Sequence, residues 1–144
     1  MTRPSPNSLD SYPHQLTIPT RWADNDVYGH VNNSVYYFYF DTVVNRWLID
    51  NGLLEIGRSE VIGLVVGTSC DYFAPMSFPD TVTAGLRAAK VGSSSVTYEI
   101  GLFRNDETTA SAQGSFVHVY VDEKTRRPVK ISEWMKETLA QIRT

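Results

Sequence analysis

The chain has 144 residues, a net charge of −3 and a single cysteine, Cys70. This length fits one domain, which can bury a core without disulfides or metals. A negative net charge argues against a nucleic-acid partner, and no apolar run is long enough to span a bilayer. Because Cys70 cannot form an internal disulfide, we expect a reducing, cytoplasmic location.

The N-terminal segment, MTRPSPNSLDSYP, is polar and contains no apolar stretch typical of a secretory signal. We therefore expect a flexible N-terminal arm over residues 1–13 and one folded domain over residues 14–144. The domain begins with a predicted strand over residues 14–22, where Leu16 and Ile18 alternate with polar neighbours.

A long helix is predicted from Ser34 to about Asp50, after a polar, loop-like stretch over residues 23–33. It starts with the apolar and aromatic run VYYFYF and continues with further apolar residues, so its polar residues form only a narrow stripe. A helix that is apolar nearly all round is normally buried. Another part of the chain must therefore wrap around it.

Four strands are predicted after this helix, over residues 61–74, 80–91, 94–105 and 108–123, and a short helix follows over residues 132–142. Turn-forming residues separate the strands, and short connections favour antiparallel neighbours. A curved antiparallel sheet of about five strands, wrapped around the long central helix, would bury both elements. The expected fold class is therefore α+β.

The segment RWADNDVYGHVNNSVY, residues 21–36, carries the chemistry. Asp26 precedes Gly29 by three residues, and the predicted helix begins shortly afterwards. The first turn of a helix presents unpaired backbone N–H groups, which suit the oxyanion that develops when a carbonyl is attacked. A carboxylate at the same point could act as a nucleophile or a general base.

This segment resembles the opening motif of hotdog-fold acyl-CoA thioesterases, in particular the 4-hydroxybenzoyl-CoA thioesterase-like group. Asp26 and Gly29 match the aspartate and glycine of that motif, and GHVNN is similar to a widespread form of it. The strand order and the KVGSSS turn over residues 90–95 also fit. The resemblance implies a hotdog fold and hydrolysis of acyl-CoA to a free acid and CoA. It implies that Asp26 either attacks the carbonyl or activates water, with no cofactor beyond the CoA of the substrate.

The resemblance also implies roles for the residues that follow Asp26. A backbone N–H near Asn33 is the expected oxyanion donor, and Gly29, His30 and Asn32 are expected to support the site loop. Each residue has a purely structural alternative. Gly29 can serve a backbone conformation that other residues disfavour, and the asparagines can cap the helix.

Three further residues have competing interpretations. Tyr36 could line an acyl pocket, although an aromatic residue in this run is more typical of a core. Asp24 is expected only to bond nearby backbone, as aspartates in turns often do. The spacing of Asp24, Asp26 and His30 matches no recognised metal signature, so no metal is expected.

The phosphates of CoA require cations and backbone donors. Family members often bind the nucleotide end of CoA at the predicted hairpin, which in this chain contributes Lys90, Gly92, Ser93 and Ser94. An ordinary solvated hairpin is the alternative, and Arg126 and Arg127 are other candidate cations.

Two other functions remain open on the same fold. A hydratase or dehydratase typically pairs a histidine with an acid, as His30 and Asp26 could. A non-catalytic acyl-CoA binder would not need a carboxylate aimed at the carbonyl. An exposed sheet edge also favours pairing with a second copy, so we expect a homodimer or homotetramer, with no nucleic-acid or membrane partner.

Overall fold

The computed structural model describes residues 4–144. Its helices and strands are β1 (His14–Pro19), α1 (Val35–Asp50), β2 (Val61–Tyr72), β3 (Thr81–Val91), β4 (Ser95–Arg104), β5 (Ala112–Asp122) and α2 (Glu133–Leu139). The α+β fold predicted from the sequence is confirmed, with one antiparallel sheet curved against α1. Neither helix in the described part of the chain is long and apolar enough to cross a bilayer.

The five strands form a single sheet in the order β1-β3-β4-β5-β2, and every neighbouring pair is antiparallel. Alternate side chains of β3 and β4 face α1 and are fully buried, which is the consequence of a period-2 pattern on one face. The core that they form with the helix includes Phe40, Val43, Val44, Leu86, Tyr98 and Ile100.

The helix α1 is buried on one face rather than all round. Trp47 is 2% exposed, whereas Phe38 is 64% exposed on the side that the sheet does not cover. The aromatic run therefore does two things: most of it packs against the sheet, and Phe38 remains on the surface of the single chain. One sheet can cover only one side of a helix, which explains the difference from the prediction.

The N-terminal segment also differs from the prediction of a flexible arm over residues 1–13. Residues 1–3 lie outside the described residues, but Asn7 N–H donates to Gln113 Oε1 (2.7 Å) and Tyr12 is 2% exposed. The Tyr12 ring lies on Gly85 and Gly101, where a Cβ atom would come within 2.7 and 2.6 Å of it. These glycines allow a buried aromatic contact on the outer face of the sheet.

The same segment explains why β5 begins at Ala112 and not at residue 108. Leu9 N–H donates to the Thr108 carbonyl (2.9 Å), and Ala110 N–H donates to the Asn7 carbonyl (3.0 Å). Residues 108–110 therefore pair with the N-terminal segment before the chain enters the sheet.

Candidate active site

The loop over residues 25–33, here called the site loop, connects β1 to α1 and is held by the segment before β3. The Ser77 hydroxyl donates to the Gly29 carbonyl (2.8 Å), and Val31 N–H donates to the Met76 carbonyl (2.8 Å). Phe78 N–H donates to Asn25 Oδ1 (3.0 Å). The site loop therefore has a defined conformation although its tip is exposed.

Asp26 lies in a tight turn that ends at Gly29. Gly29 N–H donates to the Asp26 carbonyl (3.1 Å), and Asp26 N–H donates to the His30 carbonyl (2.9 Å). Gly29 has φ +85°, in the left-handed region that side chains with a Cβ atom disfavour. The Asp26 carboxylate accepts from Tyr28 N–H (2.9 Å) through Oδ1 and from Asn32 Nδ2 (3.3 Å) through Oδ2.

Asn32 joins this carboxylate to the first turn of α1. While Nδ2 binds Asp26, Oδ1 accepts from Ser34 N–H (3.0 Å) and from the Ser34 hydroxyl (2.7 Å). The Asn33 carbonyl accepts from the Tyr72 hydroxyl (2.8 Å). Within residues 4–144 the Asn33 N–H has no hydrogen-bond acceptor. A half-buried carboxylate and an available backbone donor therefore lie at the same helix start.

The other predicted site residues occupy different environments. A cavity of about 360 Å³ is lined by Trp22, Asn25, Asp26, Val27 and Gly29. The His30 side chain is exposed. Tyr36 is 3% exposed and contacts Tyr72 edge to face, with 4.9 Å between ring centroids. In the single chain Tyr36 thus belongs to the core, which is the alternative that the sequence left open.

Asp24 has a larger structural role than the sequence indicated. It is 1% exposed, and its carboxylate accepts from the Arg21 guanidinium (2.9 Å) and the Tyr39 hydroxyl (2.8 Å). Its carbonyl accepts from Asn32 N–H (2.9 Å), so Asp24 ties the two ends of the site loop together. An arginine three residues before an aspartate was the one local signal for this ion pair.

The pKa values of this pair follow from burial and hydrogen bonding. Burial alone would raise the pKa of the Asp24 carboxyl, but the bonds from Arg21 and Tyr39 outweigh it and lower that pKa below its usual range. Burial and the neighbouring Asp24 carboxylate raise the pKa of the Tyr39 hydroxyl. Asp24 is therefore an anion fixed in place, whereas Asp26 is the carboxylate open to a ligand.

The hairpin residues predicted to hold CoA lie at the other end of the sheet. The site loop contacts the residues before Thr81, and Lys90 follows nine positions later along β3, so the two are about 30 Å apart at the usual rise of a strand. Lys90 is exposed, and the Ser94 carbonyl accepts from Tyr120 N–H (2.7 Å). Gly92 and Ser93 line a separate cavity that Lys90 does not line.

No group of three or more histidine, cysteine or acidic side chains within residues 4–144 is arranged to hold a metal ion. The site loop, together with the preceding Trp22, offers the Asp26 carboxylate, the Asn32 and Asn33 amide donors and the apolar side chains of Trp22 and Val27.

A family model described as the thioesterase-like superfamily matches residues 20–139, which include the site loop and every strand after β1. The chain belongs to the thioesterase-like superfamily. It is accordingly a thioester hydrolase, and the predicted hotdog thioesterase resemblance is confirmed.

Solved structures agree with this assignment. The PA5185 protein from Pseudomonas aeruginosa strain PAO1 is 50% identical, with a TM-score of 0.93 over 96% of this chain and 97% of that one. The PA2801 protein from Pseudomonas aeruginosa is 27% identical, with a TM-score of 0.81 over 89% and 98% of the two chains. A DHNA-CoA thioesterase from Staphylococcus aureus shares the fold at 17% identity, with a TM-score of 0.77 over 88% and 86%.

Proposed function

We propose that this thioester hydrolase acts on an acyl-CoA and that Asp26 is its catalytic carboxylate. One contact set supports this proposal: Asn32 joins the Asp26 carboxylate to the start of α1, beside the available N–H of Asn33. A thioester whose carbonyl oxygen accepts from the Asn33 N–H would place its carbon near Asp26. The Staphylococcus aureus protein of the same fold is named for a CoA thioester substrate.

Either of two steps is compatible with this arrangement. Asp26 attacks the carbonyl carbon, the carbon–sulfur bond breaks, CoA leaves as the thiolate, and water hydrolyses the resulting anhydride. Alternatively, Asp26 accepts a proton from water while that water attacks the carbonyl, and CoA again leaves. Both routes yield the free acid and CoA, and both place the developing negative charge on the carbonyl oxygen.

A hydratase mechanism has weaker support from the same geometry. It would pair the imidazole of His30 with an acid, but the hydrogen bond between His30 and Asp26 joins backbone atoms only. The His30 side chain is exposed at the loop tip. A non-catalytic binder would leave the constrained Asp26 carboxylate without a role.

We further propose a dimer in which β2 pairs with β2 of a second copy, as the resemblance to hotdog proteins implies. β2 is an edge strand of twelve residues, and its Val65 and Val66 are 46% and 62% exposed. Such a long apolar edge is suited to pairing with another strand. A tetramer could form from two such dimers.

The proposed dimer would also bring the site loop of one copy closer to a predicted CoA-binding hairpin than the two are within one chain. The Tyr72 end of β2 contacts the site loop through Asn33, whereas the Val61 end lies near the hairpin. Antiparallel pairing about a two-fold axis places opposite ends of the two β2 strands side by side. The hairpin of one copy would then lie roughly three strand spacings, about 15 Å, from the site loop of the other.

The test is a panel of aromatic and aliphatic acyl-CoA substrates, short to long, with release of free thiol measured. Asp26→Asn should fold normally and lose at least about 10²-fold in kcat on the best substrate. Asp24→Asn is the matched control and should lose much less. If Asp26→Asn hydrolyses the substrate at the rate of the wild type, the assignment of Asp26 is wrong.

A further inference from the structure

Asn33, at the start of α1, makes a single hydrogen bond among the residues that the structure describes. Its carbonyl accepts from the Tyr72 hydroxyl (2.8 Å), whereas its N–H, the proposed oxyanion donor, has no acceptor. No backbone N–H within residues 4–144 donates to this carbonyl, and Tyr37 N–H bonds to the Ser34 carbonyl (3.3 Å) instead. The orientation of Asn33 therefore depends on a side chain from a different element of the fold.

The peptide group between Asn33 and Ser34 is fixed at both of its polar ends. Its N–H, which belongs to Ser34, donates to Asn32 Oδ1 (3.0 Å), and its carbonyl accepts from Tyr72. Asn32 Nδ2 in turn donates to Asp26 Oδ2 (3.3 Å). Because a peptide group is planar, a rotation of this one group disturbs all of these contacts together. It therefore links the orientation of the Asn33 N–H to that of the Asp26 carboxylate.

Tyr72 is itself held in place by the sheet. It is the last residue of β2 and pairs with Ala112 of β5. Its ring contacts the ring of Tyr36 edge to face, with 4.9 Å between centroids, and Tyr36 is 3% exposed. The N–H of the next residue, Phe73, donates to the Ser111 carbonyl (2.8 Å). The Tyr72 hydroxyl therefore projects from a fixed backbone toward the start of α1.

The Tyr72 hydroxyl acts as the donor in its contact with Asn33. A carbonyl oxygen has no proton to give, so the hydrogen comes from the phenol. Burial raises the pKa of the Tyr72 hydroxyl above its ordinary value, and the nearby Cys70 thiol raises it further. The phenol therefore stays protonated, and keeps this hydrogen bond, at the pH values in which hydrolysis of a thioester is measured.

We propose that Tyr72 is a positioning residue for thioester hydrolysis, and that its hydroxyl holds Asn33 in the orientation in which the N–H points at the oxyanion. This inference rests on the proposed function, which assigns the Asn33 N–H as the oxyanion donor. Such a donor stabilises the transition state more than the substrate, so its misalignment lowers kcat and leaves KM almost unchanged. Water can replace the hydroxyl as a donor, but it does not fix the plane of the peptide group.

Three single variants of the full-length protein test this proposal. Tyr72→Phe removes the hydroxyl and keeps the ring that contacts Tyr36, and Tyr72→4-aminophenylalanine restores an N–H donor at the same place. Tyr12→Phe is the matched control, because it removes a hydroxyl that accepts from Asn7 Nδ2 (3.1 Å) on the outer face of the sheet. Thermal unfolding checks that all three variants fold. Kinetics are measured on the best acyl-CoA and on the N-acetylcysteamine thioester of the same acid.

Tyr72→Phe should lower kcat about ten-fold on both thioesters, with KM within about two-fold of the wild type. The factor should be the same at each pH, because the phenol does not titrate in this range. Tyr12→Phe should keep the wild-type kinetics, and Tyr72→4-aminophenylalanine should recover most of the lost kcat. By NMR, the Ser34 N–H should exchange with solvent at least about ten-fold faster in Tyr72→Phe than in the wild type or in Tyr12→Phe.

Several outcomes would overturn the proposal: a wild-type kcat in Tyr72→Phe, an equal loss in Tyr72→Phe and Tyr12→Phe, a loss confined to KM, or no recovery with 4-aminophenylalanine. Asp26→Asn in the same assay separates this inference from the proposed function. If Asp26→Asn is inactive while Tyr72→Phe keeps its kcat, only the positioning role fails. If Asp26→Asn is fully active, the proposed function fails. The exchange of the Ser34 N–H does not require hydrolysis, and an unchanged rate in Tyr72→Phe would refute the hold of Tyr72 on this peptide group in either case.

Discussion

Asp24 and Asp26 lie two residues apart in the chain but in opposite environments. Asp24 is 1% exposed and accepts from Arg21 and Tyr39, whereas Asp26 lies in a turn whose tip is open to solvent. The buried carboxylate stabilises the site loop, and the accessible one is free to react. Burial therefore separates two residues of the same type into a structural role for Asp24 and the proposed catalytic role for Asp26.

Asp24→Asn should lower the free energy of unfolding at neutral pH by about 2 kcal/mol, because Arg21 and Tyr39 would lose an anionic acceptor. The folded-state pKa of Asp24 is lowered, so its stabilisation is present above its unfolded pKa and is lost as pH falls through the folded pKa. In urea unfolding from pH 7 to pH 2, the free energy of unfolding should therefore fall less steeply with pH for the variant than for the wild type. The exposed Asp106→Asn is the control, and an equal change in both variants would contradict this role.

His118 predicts a second pH dependence. It is 1% exposed, its Nδ1 lies 3.1 Å from the Tyr120 hydroxyl, and burial lowers its pKa to about 4. An unfolded histidine titrates near pH 6.5, so the unfolded state binds the proton first as pH falls. Stability should decrease between about pH 6.5 and 4, by up to about 3 kcal/mol.

Urea unfolding at pH 7.5 and 5.0 checks this expectation. His118→Gln should be less stable than the wild type at pH 7.5, but it should lose less stability between the two pH values. The exposed His30→Gln should retain the wild-type dependence. If His118→Gln and the wild type lose the same free energy, the buried imidazole does not account for the acid sensitivity.

At the scale of elements, the order of strands and helices could be predicted because each has its own local pattern. Period-2 alternation indicated β4 and β5, and the residue types around Asp26 and Gly29 indicated the loop before α1. What could not be predicted depends on partners distant in sequence. The burial of Tyr12 requires two glycines of the sheet, and the start of β5 depends on pairing with the N-terminal segment.

The residues of the candidate site likewise divide into those that the sequence could indicate and those that only the folded chain brings together. Asp26, Gly29 and Asn32 lie within one short motif, so the sequence could indicate that they act together. Lys130 and Arg143 come from segments with no shared motif, and only the folded chain brings them into one cavity with Ser93. Spacing along the chain carries no signal for such a cluster.

A further prediction concerns Lys90, next to the β3–β4 hairpin. This residue is exposed at the end of β3. Lys90→Ala should raise KM for acyl-CoA several-fold, with kcat nearly unchanged. Steady-state kinetics at low and high salt measure both effects. An equal loss of activity on a truncated thioester would mean that Lys90 affects the fold or the chemistry instead.

At the scale of the whole molecule, the exposed apolar residues of β2 predict the oligomeric state. Light scattering at micromolar concentration should give the mass of a dimer or a tetramer. Val66→Lys places a charge on an edge residue that is 62% exposed in the single chain, so it should weaken association and reduce hydrolysis together. A wild-type monomer with full activity would contradict the paired-edge dimer.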